Sequence, residues 1–491
     1  VVQIGVLALF ARLLSPNDFG LAGLATIFSA FVSLVAQFGL RVSIVQRVVI
    51  TDRDMRAGFT LAMLLGLGGT VLLALTAQFA ATLLDNPAVT NLVVALSLTV
   101  LLANAGLVAE ALLHREMAWG RLMWADIGSY LLGFAATGTI LALMGLGPWA
   151  LVGSILGQNM LRTLFLLGSR PHPKRPLVGG KEFRELFRVG GVFTAARLFN
   201  YGAQQGDNLV VGGVLGTTEL GFYSRAFKLM MIPVTHLGTI ATRVLFPAMA
   251  RLQHDAGQLR TAYLTGCAAL ALASGPISVL TIVAAPELVQ VVLGAKWEAA
   301  IVPLQILSGG LMLRNVSQMS YCLDGALGAM WQRAARDAVY ALAVIGGSLA
   351  GARYGLPGVA AGVLGASLIH YILAATMSQR LLRHSWPEFF ASQSPALVLA
   401  IASMAPAIPL RLALHALGLP AGVVLSVTAL VTTAFVALLV FFRPTIVGKY
   451  GRIALRNLGA ALSGKLADRG LVRWDGWTRQ LTSRWEQSSS P

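Results

Sequence analysis

Apolar runs of about 20 residues, each ended by a short polar turn, follow one another along the chain to about residue 442. A membrane-spanning helix needs roughly 20 apolar residues, because the hydrocarbon core of a bilayer is about 30 Å thick. The pattern therefore predicts an all-α integral membrane protein with about 14 transmembrane helices. The predicted spans are 1–14 (a truncated first helix), 21–40, 59–84, 91–113, 122–144, 149–167, 189–213, 220–246, 262–284, 300–323, 334–352, 357–379, 394–416 and 420–442.

The composition also favours a membrane protein over a soluble one. Of the 491 residues, 56% are hydrophobic and 12% are charged, which is about half the charged share of a typical soluble domain. The mean hydropathy is +0.73. A net charge of +17 would indicate nucleic-acid binding in a soluble protein, but here the basic residues collect in the loops between spans. We therefore expect membrane lipids as partners and no nucleic acid.

Alternate loops differ in their content of Arg and Lys, with nineteen such residues in one set and four in the other. The positive-inside rule places the richer set in the cytoplasm. Both termini are then expected in the cytoplasm, and the protein in a bacterial inner membrane. The richer set is Arg41, Arg47, Arg53, Arg56, Arg115, Arg121, Arg170, Lys174, Arg175, Lys181, Arg184, Arg188, Arg243, Arg251, Arg260, Arg333, Arg336, Arg380 and Arg383, and the poorer set is Arg12, Lys296, Arg353 and Arg411.

Two pairs of short motifs indicate an internal duplication. "LSPNDFGL" (14–21) is similar to "LGTTELGF" (215–222) at an offset of 201 residues, and "LLDNP" (83–87) to "VLGAK" (292–296) at an offset of 209. Six spans per unit give both units the same orientation, so we expect two parallel repeats related by an axis along the membrane normal. The first motif is predicted to be an outer turn in which Asp18 caps the following helix.

The duplication also predicts the domain boundaries. The predicted domains are 1–167 (N-lobe, six transmembrane helices), 168–188 (basic amphipathic cytoplasmic linker), 189–382 (C-lobe, six transmembrane helices), 383–442 (two extra transmembrane helices) and 443–491 (basic cytoplasmic tail). In the linker, Phe183, Leu186 and Phe187 are predicted to lie on the membrane surface. In the tail, residues 451–470 are predicted to form an interfacial helix.

Charges inside the spans are functional candidates, because a charge at the bilayer centre costs about 2.5–3.5 kcal/mol on insertion scales. Arg314 lies beyond the middle of its span, and Arg197 lies about 12 Å from the cytoplasmic end of another. Arg225 and Lys228 are three residues apart and share a helix face. We predict that these four residues bind substrate, because guanidinium groups bind phosphate oxygens bidentately. Asp207 is a candidate for ion coupling or for pairing between the lobes.

Arg162 lies close to the cytoplasmic end of its span. We expect its long side chain to reach the headgroup region. Glu110 and Asp126 also fall near cytoplasmic ends and are predicted to balance neighbouring arginines.

Four segments together are typical of one family. They are "ARLLSPNDFGLAGLATIFSAFVSLVAQFGLRVSIVQR" (11–47), "DNLVVGGVLGTTELGFYSRAFKLM" (207–230), "RVLFPAMARLQ" (243–253) and "APELVQVVLGAKWEAAIVPLQIL" (285–307). These segments resemble polysaccharide transporters (Wzx-type O-antigen and exopolysaccharide flippases) of the multidrug/oligosaccharidyl-lipid/polysaccharide flippase superfamily. The resemblance extends to about residue 440. It implies a fourteen-helix flippase with two six-helix lobes around a central cavity. Such a protein moves undecaprenyl-pyrophosphate-linked oligosaccharides to the outer leaflet for lipopolysaccharide or exopolysaccharide biosynthesis.

Two other functions were weighed against this one. A membrane glycan polymerase or ligase needs polar loops with acids or a metal, whereas outer loops such as "MGLGPWA" and "RYGLPG" are short and lack acids. A multidrug or cation exporter of the same superfamily stays open as an alternative, although the deep charges are mostly basic. Cys267 and Cys322 fall in apolar runs and are predicted to be buried thiols. We expect no catalytic residue, metal site or cofactor, and other polysaccharide assembly proteins are open as partners.

Overall fold

The computed structural model describes residues 2–47, 49–83, 86–177, 183, 185, 198 and 201–467, which form helices joined by short turns. This arrangement confirms the predicted all-α class. The helices are α1 Val2–Leu13, α2 Pro16–Gln37, α3 Leu40–Gln46, α4 Asp52–Leu83, α5 Ala88–Arg115, α6 Trp119–Leu143, α7 Pro148–Ser169, α8 (201–215), α9 Thr217–Arg251, α10 Ala256–Val283, α11 Ala285–Val292, α12 Ala295–Ser308, α13 Leu311–Leu327, α14 Met330–Ala352, α15 Gly355–Leu382, α16 Trp386–Ala416, α17 Ala421–Phe442 and α18 Gly448–Ala467.

Ten helices of the described chain are long and apolar enough to cross a membrane, and the bent pair α12–α13 makes eleven. A multi-pass membrane architecture is therefore confirmed, but a count of fourteen is not. Helix α1 has only 12 residues, and the predicted seventh span, 189–213, is described only at Leu198 and from residue 201. Helix α14 is 23 residues long, but it carries the charged side chains of Arg333, Arg336 and Asp337.

The turn before α2 is held by a capping box. The Ser15 Oγ accepts a hydrogen bond from the Asp18 N–H at 3.2 Å, and the Asp18 carboxylate accepts the Ser15 N–H at 2.8 Å. Pro16 occupies the first turn, where its missing N–H costs nothing. This reciprocal capping satisfies donors that the start of a helix otherwise leaves unpaired. The predicted capping role of Asp18 is confirmed.

The two similar turns contact each other through their glycines. A Cβ atom on Gly20 would collide with the carbonyl of Thr217, and a Cβ atom on Gly221 would collide with the carbonyl of Pro16. The Thr217 hydroxyl also donates to the Asn17 side-chain oxygen at 2.5 Å. The two glycine contacts are equivalent, because Gly20 corresponds to Gly221 and Pro16 corresponds to Thr217 at the offset of 201. The motifs therefore lie side by side, as expected of units with the same orientation, while the full six-helix repeat stays a prediction.

The chain divides into two compact units, which are described separately. The first comprises Val1–Ser224, Val292–Gly294 and Ser348–Val359, and the second comprises Arg225–Val291, Ala295–Gly347 and Ala360–Pro491. The domain boundaries predicted from the sequence do not follow from this division. The lobes at 1–167 and 189–382 and the segments at 383–442 and 443–491 therefore stay predictions.

In the first unit, α5 is the central helix and packs against α2, α4 and α7. Apolar residues surround it, which is typical of a buried helix. Its one deeply buried amide, Asn104, donates to the Val100 carbonyl at 2.9 Å, and Gly66 of α4 lies directly against the Asn104 side chain. Small residues of this kind let membrane helices approach closely.

In the second unit, α10 packs against α13, α16 and α18. Tyr263, Cys267, Met319 and Cys322 belong to one buried cluster, which confirms the predicted burial of both thiols. The predicted helix at 451–470 is observed as α18. It packs against α10 and α16. Part of this helix therefore contacts protein as well as the predicted membrane surface.

The described part of the linker packs on the first unit. Leu177 N–H donates to the Thr60 hydroxyl at 2.9 Å, and Phe183 packs against the apolar cluster of α3, α4 and α5. Phe183 therefore has an apolar contact on the protein, and its position on the membrane surface stays a prediction. Leu186 and Phe187 lie outside the described residues.

We predict that Gly20→Ala and Gly221→Ala each lower the stability of the protein, because the added methyl group meets a backbone carbonyl that cannot rotate away. Overpacking of this kind costs about 1–3 kcal/mol. Gly23→Ala is the matched control, since its Cβ atom would have only Leu220 Cδ2 at 3.8 Å. The measurement is the temperature at which the detergent-purified protein loses its monodisperse peak. Equal melting of all three variants would show that the close approach is not required.

Candidate functional site

The site that the sequence predicted is centred on a broken helix of the second unit. Helices α12 and α13 meet at Gly309–Gly310 and are bent by 49°. Such a break leaves backbone groups without helical partners, and α10 supplies one partner, because the Ser278 hydroxyl donates to the Ser308 carbonyl at 2.6 Å. In the other direction, the Gln305 side-chain amide of α12 donates to the Ile282 carbonyl near the end of α10 at 3.0 Å.

Arg314 lies in the first turn of α13, immediately after the break. Its side chain is half-buried, and its guanidinium carbon lies 5.4 Å from the centroid of the Phe227 ring. No carboxylate of the described residues lies within 4 Å of its nitrogens. A cation over an aromatic face gains about 0.5–2 kcal/mol and keeps its planar donors available. Arg314 is therefore oriented by a ring and is not neutralised by an acid.

Phe227 lies between the two other predicted cations of the second unit. Arg225 and Lys228 flank it on α9, with Arg225 half-buried and Lys228 exposed. The ring contact consequently brings Arg314 to the turn of α9 that carries both residues. Arg314 and this turn of α9 together carry three basic side chains, and arginine groups bind phosphate oxygens bidentately. The arrangement is suited to binding a multiply charged phosphate group.

The other predicted residues lie elsewhere. Arg197 is outside the described residues. Asp207 is buried in the first unit, where its carboxylate accepts hydrogen bonds from the Tyr223 hydroxyl and from the Asn208 N–H, both at 2.8 Å. The structure thus places Arg314 against Phe227, on the turn of α9 that also carries Arg225 and Lys228, and it gives Asp207 a hydroxyl partner on α9.

A buried ion pair lies farther along α13, and sequence reasoning missed it. Arg336 Nη2 lies 2.7 Å from Asp324 Oδ2, and the two side chains are 3% and 1% exposed. Arg336 falls within the predicted span 334–352 but was also counted with the cytoplasmic loop residues. That count is wrong for both Arg333 and Arg336, because α14 begins at Met330 and contains them. The signal available in the sequence was an acid inside an apolar run, which requires a cationic partner.

Tyr321, on the same helix, joins this pair to a second polar group. The Tyr321 hydroxyl donates to Asp337 at 3.0 Å and lies 3.3 Å from His370 Nε2, while the Arg333 guanidinium stacks 4.4 Å from the Tyr321 ring centroid. Buried charges of this kind are held by several partners at once. They differ in this respect from Arg314.

The basic and acidic residues at the helix ends predicted to be cytoplasmic pair as expected. Arg162 lies 3.1 Å from Glu110 and 2.8 Å from Asp126, and Arg41 lies 2.8 Å from Glu110. The expectation that Glu110 and Asp126 balance neighbouring arginines is confirmed. Arg162 is thus held by protein carboxylates as well as being near the predicted headgroup region.

Comparison with known sequences gives one family and several relatives. A family model described as "Polysaccharide biosynthesis protein" matches residues 9–302. The chain is 27% identical over 317 residues to the lipopolysaccharide biosynthesis protein WzxC of Escherichia coli (strain K12), with 64% of each chain covered. It is 25% identical over 400 residues to the succinoglycan biosynthesis transport protein ExoT of Rhizobium meliloti (strain 1021), with 79% of this chain and 77% of the relative covered.

A third relative is the teichuronic acid biosynthesis protein TuaB of Bacillus subtilis (strain 168). It is 25% identical over 312 residues, which cover 63% of this chain and 64% of the relative. The matches to TuaB and WzxC therefore span just under two thirds of the length of those relatives.

Two solved structures share the fold. A lipid II flippase, MurJ, in an inward closed conformation superposes with a TM-score of 0.71 at 13% identity, covering 90% of this chain and 96% of the other. An inward-facing multidrug resistance MATE family transporter of the MOP superfamily gives 0.62 at 16% identity, covering 78% and 95%. At these identities the likeness establishes the architecture.

We predict that Arg336→Leu strongly reduces the amount of protein in the membrane, because it leaves Asp324 buried without its cation. Removing one partner of a buried pair costs about 3–5 kcal/mol, whereas replacing both with apolar residues is often neutral. The double variant Arg336→Leu/Asp324→Leu should therefore recover much of the abundance, measured by immunoblotting of membrane fractions. A double variant as scarce as the single one would contradict this assignment.

Proposed function

Since this chain belongs to the polysaccharide biosynthesis protein family, whose family model matches residues 9–302, we propose that it is a lipid-linked oligosaccharide flippase. It translocates polyprenyl-pyrophosphate-linked glycan across the bacterial inner membrane by alternating access. The glycan serves lipopolysaccharide or exopolysaccharide biosynthesis. The protein moves this substrate without forming or breaking covalent bonds, and it acts beside other polysaccharide assembly proteins.

The observation that carries this proposal is the environment of Arg314. A half-buried guanidinium in a membrane-spanning helix pair, stacked on Phe227, has donors to offer to a ligand. A pyrophosphate presents several charged oxygens, and the planar fork of Arg binds two of them at once. Arg225 and Lys228 supply further positive charge from α9. These residues therefore support the selection of an anionic carrier over a cationic drug.

Two more predicted residues belong to this proposal. Arg197 is proposed to bind the same pyrophosphate. Asp207 is proposed to couple transport to a cation or proton, because its carboxylate is buried and accepts a hydrogen bond from the hydroxyl of Tyr223. A carboxylate in such a place is a functional candidate by default.

The distribution of basic residues supports the orientation of the chain. Loops predicted to be cytoplasmic hold most of the Arg and Lys residues, and this asymmetry sets the orientation of multi-pass proteins. We propose that both termini are cytoplasmic.

A cysteine at exposed Lys174 should therefore resist an impermeant thiol reagent in intact cells, while one at exposed Leu417 should react. Both positions are exposed in the structure, and both native cysteines are buried, which keeps the background low. Permeabilised cells, in which both positions should react, provide the control. The reverse pattern of labelling in intact cells would contradict the orientation.

For the substrate site, we expect Arg314→Ala to abolish or greatly reduce glycan export while the protein accumulates normally. The loss of one charge-assisted interaction of about 1.5–3 kcal/mol corresponds to roughly ten- to a hundredfold in affinity. Arg314→Lys should rescue only partly, because Lys keeps the charge without the fork. Surface glycan and membrane abundance are measured together in a strain that lacks the native gene.

Arg251→Ala is the matched control for this experiment, because Arg251 is an exposed arginine of the same unit. It removes the same charge and should export normally. Normal export by Arg314→Ala at normal abundance would remove Arg314 from the site.

A further inference from the structure

A pocket in the first unit lies apart from the cations of the proposed substrate site. It has a volume of about 500 Å³ and lies where α5 ends and α6 begins, next to α3 and α7. Arg41, Glu110, His114, Asp126 and Arg162 form its polar wall, and His114 Nε2 lies 3.7 Å from Glu110. The proposed export mechanism uses none of these side chains.

The polar wall offers both hydrogen-bond donors and hydrogen-bond acceptors that are not used by its internal contacts. Arg162 donates through Nε to Asp126 Oδ1 and through Nη1 to Glu110, while Arg41 donates through Nη1 to Glu110. Within the described residues, Arg162 Nη2 and Asp126 Oδ2 have no further partner. Their side chains are 30% and 58% exposed, and that of Arg41 is 41% exposed. Phosphate oxygens and an ammonium group could therefore both find partners in one pocket.

The opposite wall is apolar and continues onto the outside of α6. Trp119, Met123 and Ile127 line the pocket. Their spacing of four residues places them in one stripe along the helix. They are 59%, 51% and 44% exposed. This stripe begins at the first residue of a membrane-length apolar helix, the level at which Trp side chains meet headgroups. An acyl chain can lie along it.

We propose that this pocket binds the headgroup of phosphatidylethanolamine from the surrounding membrane. The lipid phosphate lies against the guanidinium groups of Arg41 and Arg162, and its ammonium group donates to Asp126. With the imidazole of His114 neutral, two arginines and two carboxylates give the wall a net charge of zero, which matches a zwitterion. An anionic headgroup has no ammonium group to place against the carboxylate of Asp126. A choline headgroup carries a positive charge but has no N–H to donate.

The test measures lipid retained by the purified full-length protein. The protein is exchanged into mixed micelles with equal amounts of phosphatidylethanolamine, phosphatidylcholine and phosphatidylglycerol, and bound lipid is counted by native mass spectrometry. We expect about tenfold preferential retention of phosphatidylethanolamine over each of the others, as for a hydrogen bond between charged groups. Asp126→Asn should reduce this preference to about twofold or less.

Glu116→Gln is the matched control. Glu116 lies at the same end of the unit and accepts hydrogen bonds from Arg121 at 2.9 Å and Arg170 at 2.6 Å, but it does not line the pocket. This variant should keep the wild-type preference. An equal loss in Glu116→Gln and Asp126→Asn would overturn the proposal.

Two outcomes with the wild-type protein would also overturn it, whatever the variants do. One is equal retention of all three lipids. The other is displacement of the lipid by an equal concentration of water-soluble O-phosphoethanolamine, because a lipid held also by its acyl chains should stay bound. Neither outcome depends on glycan transport, so the flippase proposal can fail while this one stands.

Discussion

A charge that lies within a bilayer must be matched by another group, and this constraint organises the polar contacts of the chain. The hydrocarbon offers no water, so an ionised side chain is held by an opposite charge, by hydrogen bonds or by an aromatic face. Arg336 is matched by buried Asp324, and Glu110 is matched by Arg41 and Arg162. Arg314 is the exception that suggests function, because its observed contact is the ring of Phe227.

The same scarcity of polar contacts makes close backbone packing the other main source of stability. Lipid tails are as apolar as the helices, so association relies on van der Waals contact between small residues. Gly20 and Gly221 show this most directly, since each lies on a carbonyl of the other turn. The offset of 201 residues predicted that these turns are similar. It could not predict that they touch, because similarity between two segments carries no information about the distance between them.

Apolar runs predicted most helices, and the depth of Arg314 in its run identified it as a candidate. Phe227 as its partner was not predictable, because the contact depends on how α9 and α13 pack. Arg336 was misplaced for a related reason. Hydropathy alone places a charged residue in the nearest loop. The ion pair with Asp324, which lies 12 positions earlier in the chain, instead allows Arg336 to be buried within a helix. The amphipathic pattern of the linker around Phe183 is likewise compatible with packing against lipid or against protein.

We propose that the protein recognises a lipid carrier by its pyrophosphate group and translocates it. The most direct measurement places purified protein in vesicles with a fluorescent polyprenyl-pyrophosphate-linked glycan and follows its movement between leaflets. We expect the glycan lipid to move between leaflets much faster than in protein-free vesicles. An analogue whose pyrophosphate is replaced by a neutral linkage should move much more slowly. Equal rates for the two compounds, or no movement above the protein-free rate, would contradict it.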